Sequence, residues 1–328
     1  MTGTRSKSKP DRSSATPAAN PHKVSRKAEI VFGTFYLLSA LAVRLLPPTR
    51  WGLLPNLLAA YQTRRPTDKY RAFGQAVRAV LGDELDDGAI KRLCAQHGAH
   101  AHQRHLVVAA LRRRQGWNPS ITLIGRERLE AALARGRGAI LWFDGFFHSA
   151  IIGKRAFAEA GHAMWHLSAQ GHGILNTPLA ELFLNPKVIE VELRYLAGRI
   201  VFDPTATITA TRRMIEILEG NGIVSLINNA YIGKLLLSPF GIGMMLPMAR
   251  TPLNLAASRG VALLPVSVIE VEPFARYEVT VGPDLAAPAV AGSIDPIRAR
   301  AKAYASYLLP LAKAHPAQWG GWGIMRRG

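Results

Sequence analysis

The chain has 328 residues, of which 48% are hydrophobic, so it can bury a large core as one α/β domain or as two average domains. Its formal net charge of +19 favours phosphate-rich partners: anionic lipid surfaces, lipid phosphates, acidic carrier proteins or nucleic acid. The single cysteine, Cys94, excludes an intrachain disulfide and any zinc cluster built from cysteines.

The chain begins with a basic, weakly apolar segment. Residues 1–28 contain Ser, Thr, Pro, Lys and Arg and almost no large apolar side chains, which indicates a disordered tail. The apolar run that follows, residues 30–43, is shorter than the roughly 18–20 residues that span a bilayer. A basic tail before a short apolar helix is typical of an interfacial element, so we predict a membrane-surface helix over about residues 30–46. An ordinary amphipathic core helix is the alternative.

A helical pattern covers the N-terminal region, residues 29–117. Within it lie His97, His100, His102 and His105, and imidazoles at such spacing can bind metal ions. The glycine among them and the absence of carboxylates favour a polar helix face instead. We therefore expect no metal site.

From residue 118 onwards, short apolar runs alternate with helical patterns. The runs that predict strands are residues 121–124, 139–143, 162–167, 222–227, 261–268 and 277–281, and helices are predicted over 126–135, 207–219 and 252–259. This alternation indicates βαβ units and a largely parallel mixed sheet flanked by helices. The simplest organisation is one α/β domain, residues 118–328, after a helical N-terminal region.

A polar turn follows the predicted strand 139–143. It contains Asp144, His148 and Ser149, and a helical pattern then runs to Gly161. In open α/β folds, ligands bind where strands reach their carboxyl ends. We therefore expect the functional site at this turn.

Several segments occur in a familiar order. They are residues 124–141, the Arg194–Gly198 segment, residues 214–224, 238–241 and 255–265, and the ending 315–319 with Arg326 and Arg327. From about residue 29 onwards, the chain resembles the bacterial lipid A biosynthesis (lauroyl/myristoyl) acyltransferase family of the lysophospholipid acyltransferase superfamily.

The resemblance implies a glycerolipid acyltransferase-like fold and a defined reaction. A fatty acyl group would pass from an acyl carrier protein or coenzyme A thioester to a hydroxyl of a glycolipid or phospholipid, with no cofactor besides that co-substrate. It also implies a peripheral or monotopic position on the cytoplasmic face of a bacterial inner membrane, in contact with anionic lipid. We see no nucleic-acid-binding motif, so we do not expect nucleic acid as a partner.

The catalytic motif of that family, H-x4-D/E, is absent. When Gly161 is aligned with the glycine that ends the following helix in that family, Phe146 and Ile151 stand at the two positions of the motif. None of the 10 histidines of the chain is followed five positions later by Asp or Glu. In one interpretation His148 is the general base and Asp144 its orienting carboxylate, within about 3 Å of each other. In the other, the protein is a non-catalytic relative that binds a lipid or a partner.

The resemblance also suggests residues that contact the substrate. Arg194 suits a phosphate on lipid or pantetheine, unless it forms a surface salt bridge with Glu190 or Glu192. Asn228 and Asn229 stand where the family has an Asp-Gln pair, and their amides can bind hydroxyl or phosphate oxygens. Gly241 would allow close backbone approach, and Arg250 would add charge at the pocket mouth. These residues complete the predicted site.

Overall fold

The computed structural model of the protein describes most of the chain: residues 26–64, 67–82, 84–113, 116–169, 180–203, 206–228, 234–285 and 295–328. It confirms an α/β architecture in which a mostly parallel mixed sheet is flanked by helices. Of the predicted basic tail, only residues 26–28 are described, and they already belong to the first helix.

The helices that precede the sheet in the described part are α1 (Arg26–Leu45), α2 (Leu53–Gln62), α3 (Asp68–Leu81) and α4 (Asp87–Leu111). Both α1 and α2 pack along α4. Gly98 allows the approach of α2, since a Cβ at this position would meet the Cβ of Ala59 at 3.3 Å. None of the described helices is both long enough and apolar enough to cross a bilayer.

A seven-stranded sheet forms the centre of the protein, in the order β1-β9-β8-β2-β5-β3-β4. Its strands are β1 (Ser120–Ile124), β2 (Ala139–Phe143), β3 (Trp165–Ala169), β4 (Gly198–Phe202), β5 (Ile223–Ile227), β8 (Ala262–Glu272) and β9 (Arg276–Val281). β1 and β9 are parallel to each other, and β9 is antiparallel to β8. The other five strands are parallel.

A smaller antiparallel sheet has the order β10-β7-β6 and was not predicted. Its strands are β6 (Leu235–Pro239), β7 (Met244–Ala249) and β10 (Arg326–Arg327). The C-terminal strand β10 thus returns to the middle of the chain, which anchors the end of the protein beside the main sheet.

Further helices cover both faces of the main sheet: α5 (Arg126–Leu133), α6 (Lys154–Glu159), α7 (Asn185–Leu193), α8 (Thr207–Glu219), α9 (Arg250–Arg259) and α10 (Pro296–Ala314). Single π-helical turns, Ser149–Gly153 and Ala180–Leu184, lead into α6 and α7.

Strand β2 is completely buried because both of its faces are covered, as its continuous apolar run indicates. Ile140 and Trp142 belong to the cluster formed with α3, α8, α9 and α10. Leu141 and Phe143 belong to the cluster formed with α4, α6 and α7. Successive residues after β2 can therefore face opposite layers of the protein.

Two strands differ from the sequence prediction in ways that matter for the site. β3 starts at Trp165 rather than His162, because it pairs from that residue with β4 and β5. β8 continues through Glu272 instead of ending at Val268, because its antiparallel pairing with β9 extends to Arg276. This extension carries Glu270 past the carboxyl end of the neighbouring strand β2.

Candidate functional site

The turn that follows β2 is held by the C-terminal segment of the chain. The indole N–H of Trp319 donates to the carbonyl oxygen of Asp144 at 2.9 Å. The N–H of Phe147 donates to the carbonyl oxygen of Gln318 at 3.1 Å. These contacts fix the turn between β2 and the π-helical turn, and His148 lies at its end.

His148 is buried, with 3% of its surface exposed. Its Nε2 lies 3.1 Å from Oε1 of Gln103 on α4 and 3.8 Å from Oε1 of Glu270 on β8. The imidazole packs against the ring of Tyr277 on β9, with ring centroids 5.1 Å apart. Residues from three elements therefore meet around this ring.

Glu270 is held both through its carboxylate and through its backbone. Its Oε1 accepts hydrogen bonds from the Tyr277 hydroxyl and from the Phe274 N–H, both at 2.9 Å. Its backbone exchanges two hydrogen bonds with the side-chain amide of Gln318, at 2.8 and 2.9 Å. The carboxylate is thus fixed in orientation, as the partner of a catalytic base must be.

His100 completes this cluster from the α4 side. Its Nδ1 lies 3.0 Å from Oε1 of Gln103 and 3.4 Å from Oε2 of Glu270. Its ring is nearly perpendicular to that of His148, at a centroid separation of 6.3 Å. We call His100, Gln103, His148 and Glu270 the carboxyl-edge cluster.

Burial determines the protonation of the two imidazoles. It lowers the pKa of His148 to about 4, although the negative charge of Glu270 acts in the opposite direction. Burial likewise lowers the pKa of His100, against the same carboxylate. Both rings are therefore neutral at pH 7. Because two acceptor oxygens face Nε2 of His148, its proton is assigned to Nε2.

The expected contact between Asp144 and His148 does not form. Asp144 is directed towards Tyr304 on α10 instead. Burial raises the pKa of the Asp144 carboxyl, and the Tyr304 hydroxyl lowers this pKa by a smaller amount. The carboxyl oxygens and that hydroxyl do not reach good hydrogen-bond geometry. The net result is a pKa of the Asp144 carboxyl well above the usual range, because burial disfavours its charged form. The separation follows from the alternation of side chains after β2: Trp142, two residues earlier, also stacks on Tyr304.

Arg194 is engaged in structural contacts. It donates to the carbonyl oxygen of Leu111 and forms an ion pair with Glu190, both at 2.7 Å. Arg112 contacts the same carboxylate at 3.1 Å. The surface salt bridge that was the alternative interpretation is therefore present, and the role of Arg194 in phosphate binding stays a prediction.

Asn228 does lie at the expected edge of the sheet. It follows β5, is buried, and donates its N–H to the carbonyl oxygen of Phe143 at 2.9 Å, which joins the ends of β5 and β2. Asn229 lies outside the described residues.

Gly241 and Arg250 lie in and after the small sheet. Gly241 has a φ of +84°, and a Cβ on it would lie 2.6 Å from the carbonyl oxygen of Ala79, so the close approach is to α3. Arg250 is exposed at the start of α9, and its N–H donates to the carbonyl oxygen of Lys234 at 3.0 Å. Their contacts with a substrate remain predictions.

The histidines of α4 point in different directions. His97 lies between the rings of Phe73 and Phe147, and Nε2 of His102 contacts Oε1 of Gln62 at 3.0 Å. His105 packs edge-on against Phe35. Only His100 among them belongs to the carboxyl-edge cluster.

Sequence reasoning missed Gln103, Glu270 and Tyr277. A useful signal was available for Glu270, because a carboxylate near the end of a buried strand that neighbours β2 belongs at the same sheet edge. Gln103 had no such signal, since its position depends on how α4 packs across the sheet.

No protein-family model and no curated protein matches this chain. The function must therefore be argued from the site. A neutral imidazole beside a fixed carboxylate can accept a proton from a hydroxyl and be stabilised as imidazolium, which is the chemistry of a general base.

Proposed function

We propose that the protein is a membrane-surface acyltransferase. It transfers a fatty acyl group from an acyl carrier protein or coenzyme A thioester to a hydroxyl of a glycolipid or phospholipid. The observation that carries the proposal is the pairing of His148 with Glu270 at the carboxyl edge of the central strands, with Nε2 and Oε1 3.8 Å apart. Glu270 takes the role that the sequence assigned to Asp144.

His148 acts as the general base through Nδ1, the ring nitrogen that does not face Gln103 and Glu270. Nδ1 accepts the proton of the acceptor hydroxyl while the oxygen of that hydroxyl attacks the thioester carbonyl. The tetrahedral intermediate collapses, the C–S bond breaks, and the thiolate takes the proton back from the imidazolium. The products are an ester and a free thiol. Gln103 accepts the hydrogen bond of the Nε2–H, and the negative charge of Glu270 stabilises the imidazolium.

An apolar surface on α1 and α2 supports membrane binding. The buried residues of α1 include Phe35, Tyr36, Ser39 and Val43. The leucines that α1 and α2 leave exposed include Leu37, Leu38, Leu41, Leu45, Leu53 and Leu57. Burial of such leucines among acyl chains is favourable by about 1.5 kcal/mol or more each. We call these six residues the leucine surface.

The leucine surface continues onto the π-helical turn before α7. Tyr36 forms a small core with Ala180 and Leu184, while Leu182 and Phe183 remain exposed beside it. Together with the net charge of +19, this surface suits an anionic leaflet, and the same charge suits an acidic carrier protein. We propose the cytoplasmic face of a bacterial inner membrane as the location.

One observation favours a second function, lipid or partner binding without catalysis. His148 is almost completely buried, and a pKa of about 4 makes its imidazole a weak base. A non-catalytic protein of this fold would still bind membranes through the leucine surface.

The test is an acyl-transfer assay with the detergent-purified full chain, labelled acyl carrier protein or acyl-CoA thioester, and a lipid extract of the source cells. His148→Ala is the test variant, and His315→Ala, in the segment after α10, is the matched control. Label in a lipid that disappears only with His148→Ala supports the acyltransferase. Vesicle binding without transfer supports the non-catalytic function. Transfer that survives His148→Ala contradicts the role of His148.

A further inference from the structure

The carboxyl-edge cluster has the arrangement of a metal site. Oε1 of Gln103 lies 3.0 Å from Nδ1 of His100 and 3.1 Å from Nε2 of His148. Oε2 of Glu270 lies 3.4 Å from the same Nδ1. One ligand atom from each histidine and from Glu270 all lie within 4.8 Å of one another. Four donor atoms from three separate elements therefore lie close together.

These separations match the geometry of a tetrahedral ion. Ligands bound at about 2.0–2.1 Å around a tetrahedral ion are about 3.3–3.4 Å apart. Three of the six separations between these donor atoms, 3.0, 3.1 and 3.4 Å, lie close to that value. Two imidazole nitrogens and two oxygens are donors that suit zinc and similar divalent ions, and a set of four protein ligands is typical of a closed site.

We propose that His100, Gln103, His148 and Glu270 bind one divalent transition-metal ion such as Zn²⁺. The ligand atoms are Nδ1 of His100, Oε1 of Gln103, Nε2 of His148 and Oε2 of Glu270. The other carboxylate oxygen is already held by the Tyr277 hydroxyl and the Phe274 N–H, which orient a ligand as outer-shell hydrogen bonds do in metal sites.

The ion and the proposed base function exclude each other, a consequence that rests on the proposed function. A neutral imidazole carries a single N–H, so metal at Nε2 of His148 moves that proton to Nδ1. Nδ1 then has no lone pair with which to accept the proton of a hydroxyl. The metal-bound protein is therefore inactive in acyl transfer, and removal of the ion restores the base.

The test is metal binding by the full chain without a polyhistidine tag, after treatment with a chelator. Co²⁺ is titrated while its visible d–d absorption is followed, and Zn²⁺ affinity is measured by competition with a chromophoric chelator. We expect one ion per chain in the unmodified protein and in the His315→Ala control. Affinity should fall at least about tenfold in His100→Ala, in which a ligand is lost. Circular dichroism and a thermal melt verify that each variant is folded.

Failure to bind an ion in the unmodified protein, or equal affinity in His100→Ala, would overturn the proposal. Acyl transfer is measured separately, with and without Zn²⁺. Inhibition by Zn²⁺ should be weaker in His100→Ala than in the unmodified protein. If the protein binds the ion through His100 but never transfers an acyl group, the metal site stands and the acyltransferase proposal fails. If transfer occurs and no ion binds, the acyltransferase proposal stands and the metal site fails.

Discussion

Glu270, on β8, faces His148 across the carboxyl edge of the sheet, with Oε1 3.8 Å from Nε2. The oxygens of Glu270 and Gln103 both point at this nitrogen, so it must carry the proton of a neutral ring. We predict that ¹⁵N NMR of the histidine-labelled, chelator-treated protein at pH 7 shows His148 as the neutral Nε2–H tautomer. The spectrum of His148→Ala assigns the signal. An Nδ1–H tautomer or a charged ring would contradict the arrangement.

The leucine surface should mediate binding to lipid. We predict that Leu41→Glu with Leu57→Glu weakens binding to phosphatidylglycerol-containing vesicles at least tenfold, because each leucine contributes about 1.5 kcal/mol or more when buried. Sedimentation with vesicles measures the change. The matched control is Ile208→Glu with Ile242→Glu, which changes charge equally at two exposed positions, 73% and 81%, outside this surface. Equal losses in both pairs would show that charge alone controls binding.

Asp144 should destabilise the protein at neutral pH. Burial raises the pKa of Asp144 in the folded state. The resulting loss of unfolding free energy is therefore absent below the unfolded-state pKa of about 3.9, and it grows as the pH rises towards the folded-state pKa. We predict that Asp144→Asn increases the free energy of unfolding at pH 7 by about 1 kcal/mol or more, and has little effect at pH 3. Urea denaturation at both pH values measures this. A loss of stability at pH 7 in Asp144→Asn would contradict the raised pKa of Asp144.

The buried pair of Lys154 and Glu192, 3.1 Å apart, gives an asymmetric prediction. Glu192 also attracts the guanidinium groups of Arg104 and Arg199. Glu192→Gln leaves all three cations without this carboxylate and should cost about 3–5 kcal/mol of unfolding free energy. Lys154→Met leaves the carboxylate with two cations and should cost less. Chemical denaturation measures the unfolding free energy of both variants. A larger loss of unfolding free energy in Lys154→Met would show that Glu192 depends on Lys154 rather than on Arg104 and Arg199.

Much of the fold could be predicted from local patterns. The strand 139–143 matches β2 residue for residue, and the helix 207–219 matches α8, because a continuous apolar run and a 3.6-residue period are strong signals. In the small sheet, strand β10 was missed because it is only Arg326–Arg327 and depends on a partner far away in the sequence. Elements stabilised mainly by such distant pairing leave a weak local signal.

The site was predicted only in part, for a related reason. The turn after β2, with His148, was predicted as the site because a polar turn after a buried strand is a local feature, and its catalytic role stays a prediction. The partner of His148 was assigned to Asp144, its neighbour in sequence, but the alternation of side chains turns that carboxyl towards Tyr304. Glu270 comes from an adjacent strand and Gln103 from a packed helix, so only tertiary structure brings them to the ring.

The most direct test of the account compares two conservative substitutions in the acyl-transfer assay. Glu270→Gln removes the charge that stabilises the His148 imidazolium, whereas Asp144→Asn changes a carboxyl on the other side of β2. We predict that the initial rate falls about 10²–10⁴-fold in Glu270→Gln and stays near that of the unmodified protein in Asp144→Asn. Loss of transfer in Asp144→Asn together with retention in Glu270→Gln would contradict the pairing of His148 with Glu270.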